Sequence, residues 1–258
     1  MAGFMPTSTN LRNACRSLLC AALALGSASA GPSSTRSPAA GSLRDTEALV
    51  ARSIVRINRQ TSYRAGKKLL HMANFGTGVI IGVQTVGGRR EYLILSNEHV
   101  ARNNHVAGQS TLTIAAGYGV KTPIALETIA VDYHRDQALL RTVGCTTTFA
   151  VPHYVIGPPR EDARADTAFT EGYGNGRFNT LAGDILSTRA VDWGVRSYRI
   201  DVPVGAGQSG APLVVIGADR RLYLPALIFC GTDRYTDATP LHAGEGVLQR
   251  VALGRQTP

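Results

Sequence analysis

Three short segments carry side chains that together could activate a nucleophile. Tyr92-Leu93-Ile94-Leu95-Ser96-Asn97-Glu98-His99-Val100 is an apolar strand pattern that ends in polar residues and a histidine. Asp136-Gln137-Ala138-Leu139-Leu140 places an acid at the mouth of a buried run. Gly205-Ala206-Gly207-Gln208-Ser209-Gly210-Ala211-Pro212 sets a serine in a glycine-rich turn just before the apolar run Leu213–Ile216. A serine hydroxyl is a poor nucleophile at neutral pH unless a base takes its proton. Histidine, with an unperturbed pKa near ~6.5, is the natural base. An acid must then hold the imidazole tautomer and stabilise the imidazolium. Glycines around a serine let backbone N–H groups converge on one point, where they can bind a developing oxyanion.

Competing readings of the same residues are weaker. Asp132 lies near Asp136, but Asp136 directly precedes the buried Ala-Leu-Leu run. His105 follows His99 by six residues, a spacing that fits no common metal site, and no cysteine or acid cluster accompanies the pair. His71, His134, His153 and His242 have no constellation and read as surface or structural residues. Gly172-Tyr173-Gly174-Asn175-Gly176 lacks the spacing and the following helix of a dinucleotide site, and reads as a loop. Ser209, Asp233, Asp237 and His242 follow the order of an α/β-hydrolase, but the interval is too short for that fold's βα units. No metal or cofactor is expected.

The elements that must position these residues are short strands. The chain has 258 residues, 44% of them hydrophobic and 17% charged, with 28 glycines and 6% aromatics. That composition excludes a disordered chain, a collagen and a coiled coil. No apolar run reaches the ~18 residues of a mature membrane-spanning helix. Runs rich in Val, Ile, Leu, Thr and Tyr recur between turn residues from Ile54 onward: Thr77–Val83, Glu91–Leu95, Thr111–Ala115, Ile124–Val131, Ala138–Val143, Ala168–Glu171, Asp184–Val191, Tyr198–Val202, Pro212–Ile216 and Leu222–Phe229. Strands at such spacing imply an all-β barrel or sandwich. Asp45–Arg52 shows a weak helical period, and Val151–Arg160, with three prolines, reads as a crossover between two halves.

The first thirty residues read as a separate object. Arg12 and Arg16 precede the apolar run Leu18–Leu25, and Ala28-Ser29-Ala30 offers small residues at a cleavage site before Gly31. This is a secretory signal pattern, so export to the periplasm or medium is expected. Loss of Arg12 and Arg16 takes the formal net charge from +9 to +7. The remaining basic residues are scattered, and no nucleic-acid-binding motif accompanies them. Two cysteines remain, Cys145 and Cys230, which read as buried apolar residues more readily than as a bond. Residues 31–45 are expected to be a flexible leader.

With these residues in place, the sequence resembles the trypsin-like serine peptidases of the chymotrypsin fold, most closely the bacterial HtrA-type protease domain. Gly76-Thr77-Gly78-Val79-Ile80-Ile81, Leu95-Ser96-Asn97-Glu98-His99-Val100, Asp136-Gln137-Ala138-Leu139-Leu140 and Gly207-Gln208-Ser209-Gly210-Ala211-Pro212 match that family's motifs, in its order. Leu181–Ser187 resembles a strand upstream of the nucleophile, and the likeness runs from Ile54 to Gly231.

The resemblance implies two antiparallel six-stranded β-barrels, over residues 46–150 and 151–258, with the site in the cleft between them. It implies a His99–Asp136–Ser209 triad, an oxyanion hole made by the Gly207 and Ser209 N–H groups, and peptide or protein substrates. Pro203, six residues before the serine, and Val204 would floor the primary specificity pocket. The residues after Gly231 are too few for a PDZ module. Three departures stand out. Gln208 replaces the acid found before the nucleophile in digestive enzymes. Ile54-Val55 is followed by Arg56-Ile57 rather than two glycines. Ala211 replaces a glycine. The alternative function for such a fold is a catalytically silent protein-binding module.

Overall fold

Alternation of side chains is what makes these runs strands. Ile124 and Leu126 point inward while Ala125 between them is exposed, the period-two signature of a sheet with one wet face. Pro212–Val215 and Gln137–Leu140 are buried residue after residue, because both of their faces are covered. The computed structural model of the chain describes residues 40–102, 109–159, 167–192 and 195–249. It divides into two compact units, Met1–Leu43 and Arg44–Pro258. The expected signal segment lies outside the described residues, as do His105 and Arg160. Helix α1 spans Ala40–Ala51, so its start falls inside the stretch expected to be a leader.

Six strands form a closed barrel: β1 (Ile54–Ala65), β2 (Lys68–Val86), β3 (Arg89–Ser96), β4 (Gln109–Gly117), β5 (Ile124–Asp132) and β6 (Gln137–Val143). Their order around it is β1-β2-β3-β6-β5-β4, and β1 closes on β4 with Ile57 opposite Ile114. A second, curled sheet has eight strands: β7 (Tyr154–Ile156), β8 (Thr167–Gly174), β9 (Arg177–Ala182), β10 (Ile185–Asp192), β11 (Val195–Ile200), β12 (Pro212–Ile216), β13 (Leu222–Gly231) and β14 (Thr236–Pro240). Its order is β10-β11-β14-β13-β12-β8-β9, with β7 pairing parallel to β13. This all-β arrangement is that of a two-barrel, chymotrypsin-like fold, the second half being curled rather than fully closed.

The barrel is filled by Val55, Ile57, Ile80, Tyr92, Ile94, Ile114 and Leu140. Tyr92 and Phe149 meet edge to face at 5.1 Å. A second cluster joins both sheets: Val79, Leu95 and Leu139 pack with Phe169, Val214, Leu224, Leu227 and Val50 of α1. Burial of this seam, at ~25 cal/mol per Å2 of apolar surface, is what holds one sheet against the other.

Several elements differ from the sequence reading. Strand β2 runs well beyond Thr77–Val83, because its first half pairs with β1 out to Ala65 opposite Lys68 in an exposed arm. The Gly172–Gly176 stretch is not a loop: β8 continues to Gly174, and only Asn175-Gly176 turn, both with positive φ, as a two-residue hairpin requires. Leu181–Ser187 is not one strand but the end of β9 and the start of β10, divided at Gly183-Asp184. Strands β7, β9 and β14 carry proline, polar or short apolar patterns that gave no strand signal. Cys145 and Cys230 are half-buried thiols outside any disulfide.

Candidate active site

Strand β3 ends at Ser96 and passes through Asn97 into α2 (Glu98–Ala101), a single turn that carries His99. Asp136 sits at the entry to β6, with φ 50°, a left-handed conformation that non-glycine residues rarely adopt. Three bonds hold it there. Its Oδ1 accepts from the His99 backbone N–H at 2.9 Å, and its backbone carbonyl accepts from Asn97 Nδ2 at 2.9 Å. Its Oδ2 lies 2.7 Å from His99 Nδ1. A carboxylate can only accept, so this contact places the proton on Nδ1 and leaves Nε2 as the lone-pair nitrogen.

Ser209 enters from the second sheet. Its backbone carbonyl accepts from Thr77 N at 2.8 Å, and the next residue, Gly210, donates its N–H to Ile228 O at 2.8 Å. Gly76 lies beneath: a Cβ there would stand 2.5 Å from Val100 Cγ2 and 3.0 Å from Ser209 O, so only glycine lets the His99 turn and the serine turn meet. The structure therefore brings the His99–Asp136 pair and the Ser209 turn against the same short segment of β2. Among the described residues Ser209 Oγ and His99 Nε2 make no hydrogen bond with each other. Such contacts are commonly long before substrate binds.

The turn ahead of Ser209 presents two backbone donors. Gly207 has φ 96°, and a side chain there would strike the Phe75 ring and the Tyr173 carbonyl. Thr77 Oγ1 donates to Gly207 O at 2.8 Å while accepting from Tyr173 N at 3.0 Å. Gln208 O accepts from Ala211 N at 2.8 Å. Among the described residues no acceptor takes the N–H of Gly207 or of Ser209. That is the arrangement of donors an oxyanion would use.

In the sequence Arg59 is one of several scattered basic residues, and the fold gives it a defined place. It is 4% exposed, and its guanidinium donates to the carbonyls of His99 (2.8 Å), Val100 (3.2 Å) and Arg102. It ties down the end of the turn that carries His99. Asn97 and Thr77 likewise had no separate sequence signal, because amide and hydroxyl partners reveal themselves only once the chain is folded.

The expected specificity residues lie after β11. Pro203 is exposed and Val204 half-buried, with Val204 Cγ2 against Gly231 at the end of β13. Asp201 accepts from Asp184 N at 2.8 Å, and buried Asp237 pairs with Arg199 through two bonds of 2.9 and 3.1 Å. Among the described residues no group of three or more His, Cys, Asp or Glu side chains could hold a metal. No described helix is long and apolar enough to cross a membrane.

No curated protein matches the chain. The model of the trypsin-like peptidase domain matches residues 76–218, a span that starts at Gly76, contains His99, Asp136 and Ser209, and ends just past β12. That span covers more than half of the sequence, and the chain belongs to the trypsin-like peptidase domain family.

Proposed function

We propose that the protein is an exported serine endopeptidase that cleaves peptide bonds through an acyl-enzyme. The observation that carries this reading is the 2.7 Å His99–Asp136 pair set beside a serine turn with two unclaimed N–H donors. In this mechanism Ser209 Oγ attacks the scissile carbonyl carbon while His99 Nε2 takes the hydroxyl proton. The oxyanion forms against the Gly207 and Ser209 N–H groups. The C–N bond then breaks, the amine leaves with the proton from His99, and the acyl group stays on Ser209. Water repeats the sequence, its proton passing to His99, and releases the carboxylate and the free serine.

The test is covalent labelling with a fluorophosphonate. The native chain is expected to label at Ser209, and Ser209→Ala and His99→Ala are expected to lose turnover by similar large factors, with the double variant no worse than either. A chain that neither labels nor turns over a peptide library would be a protein-binding module on the same fold.

Specificity follows from the charges around Val204. A substrate Arg or Lys buried there would meet no acid between Pro203 and Ser209 and would find Asp237 already paired with Arg199, and an unpaired buried charge costs several kcal/mol. Cleavage is expected after small or medium apolar residues. Mass-spectrometric profiling of a peptide library checks this, and dominant cleavage after Arg or Lys would overturn the pocket assignment alone.

A further inference from the structure

The two candidate oxyanion donors belong to peptide planes, and a trans peptide points its N–H opposite to its carbonyl. Whatever fixes the carbonyls of Ala206 and Gln208 therefore aims the N–H groups of Gly207 and Ser209. Gln208 O is held within its own turn by Ala211 N. Ala206 O is held from outside, by the backbone N–H of Asn175 at 2.7 Å. Asn175 is the first residue of the two-residue turn between β8 and β9, and the rest of that hairpin also reaches the serine turn. The Gln208 side chain is fully buried, and its Nε2 donates to Asn179 Oδ1 on β9 at 2.9 Å. Gly172 on β8 makes the room for it: a Cβ there would stand 2.1 Å from Gln208 Oε1.

In place of a carboxylate awaiting a cation, the position before the serine thus carries a neutral amide already bonded to a neutral amide. Among the described residues its Oε1 is buried without a hydrogen-bond partner, while its Nε2 is already committed to the hairpin. Digestive members of the family are activated by a cut that frees an amino terminus, and the corresponding bond here, before Ile54, lies inside the fold: Ser53 is fully buried, donates Oγ to Val50 O at 2.7 Å and accepts from Ile80 N at 2.8 Å.

We propose that the β8–β9 hairpin is a built-in clamp for the serine turn. Asn179, acting through Gln208, and the Asn175 backbone, acting through Ala206, are positioning residues that hold the oxyanion donors in working geometry without an ion pair. The proposal rests on the peptidase reading for its consequence in catalysis, but the clamp itself is a structural claim.

Two measurements on the purified full chain separate these. The first is hydrogen–deuterium exchange over residues 205–211. Asn179→Ala is expected to speed it about tenfold, the loss of one hydrogen bond, while β3 and β6 stay protected and report an intact barrel. Asn179→Asp, which keeps the acceptor oxygen, is expected to stay near the native rate. The second is kinetic. In Asn179→Ala, kcat on a peptide substrate is expected to fall about tenfold with KM little changed, and the inhibition constant of a peptide aldehyde to rise by the same factor, because only the tetrahedral adduct uses the donors. Exchange over 205–211 that does not change in Asn179→Ala would overturn the clamp. So would a fall in kcat without the matching loss of aldehyde binding. If the native chain fails to label with a fluorophosphonate, the peptidase reading falls, and the exchange measurement still decides the clamp.

Discussion

Arg59 is a buried cation whose whole role is to be a donor. Its Nη1 faces three carbonyls at the end of the turn that carries His99 and shares its two N–H groups among them. Lysine would keep the charge, but its side chain is one bond shorter and its ammonium falls short of the place that Nη1 occupies. Arg59→Lys is expected to lower stability by about 1–3 kcal/mol, measured as the urea midpoint, and to lower kcat as the imidazole loses its fixed approach to Ser209. Asp136 shows the complementary strain. Its left-handed backbone is held by Asn97 Nδ2 and the His99 N–H, so the acid that orients the imidazole is itself oriented by the imidazole's own turn. His99, Asp136 and Ser209 could be read from the sequence because each sits at a change from apolar run to polar turn, a pattern visible in one dimension. Arg59, Thr77 and Asn179 could not be, because each acts on a carbonyl or amide far away in the chain.

At the scale of elements, strand β8 carries one side chain that its surroundings do not suit. Glu171 is fully buried, accepts from Thr180 Oγ1 at 3.1 Å, and among the described residues leaves Oε2 without a partner. Burial first, and then the charge of Glu47 on α1, push its carboxyl up to about 8, with the Thr180 bond working the other way. Tyr154 of β7 feels it in turn, its hydroxyl raised by burial and by this neighbour. In the folded chain Glu171 keeps its proton to about pH 8, whereas the unfolded chain loses it above the ordinary carboxylate range. The folded state therefore binds more protons between those values, and stability falls as pH rises through them, by up to about 1.4 kcal/mol per pH unit for one group. Urea midpoints of the native chain are expected to drop from pH 5 to pH 8, and Glu171→Gln is expected to flatten that slope. Strand β8 also marks where pattern reading fails. Its apolar start, Ala168-Phe169, was legible, but the glycines at 172 and 174 read as a loop because a strand without side chains has no period. They are glycine because Gln208 and Asn179 fill the space that side chains would need.

For the whole molecule, the all-β class and the change of sheet near the proline-rich crossover could be anticipated from spacing alone. The open, curled form of the second sheet could not, since closure depends on pairings between strands distant in sequence. The same distances set the order in which the chain assembles. The first barrel closes only when β1 meets β4, and the serine turn is fixed only when Thr77 reaches Gly207 and Ser209, some 130 residues further along. Chain entropy must be lost before such long-range contacts return anything, so folding on the slower scale of β-barrels is expected. The bonds from Thr77 to the serine turn join the two sheets, and neither sheet can supply them alone. In refolding from urea, recovery of fluorophosphonate labelling is expected to lag behind the return of the far-ultraviolet β signal. Labelling in step with that signal would contradict this order. A chain part-way through folding, with its strands exposed and most easily cut, would then be unable to cut its neighbours. The capacity to hydrolyse a peptide would arrive last, after the molecule had become a poor substrate for itself.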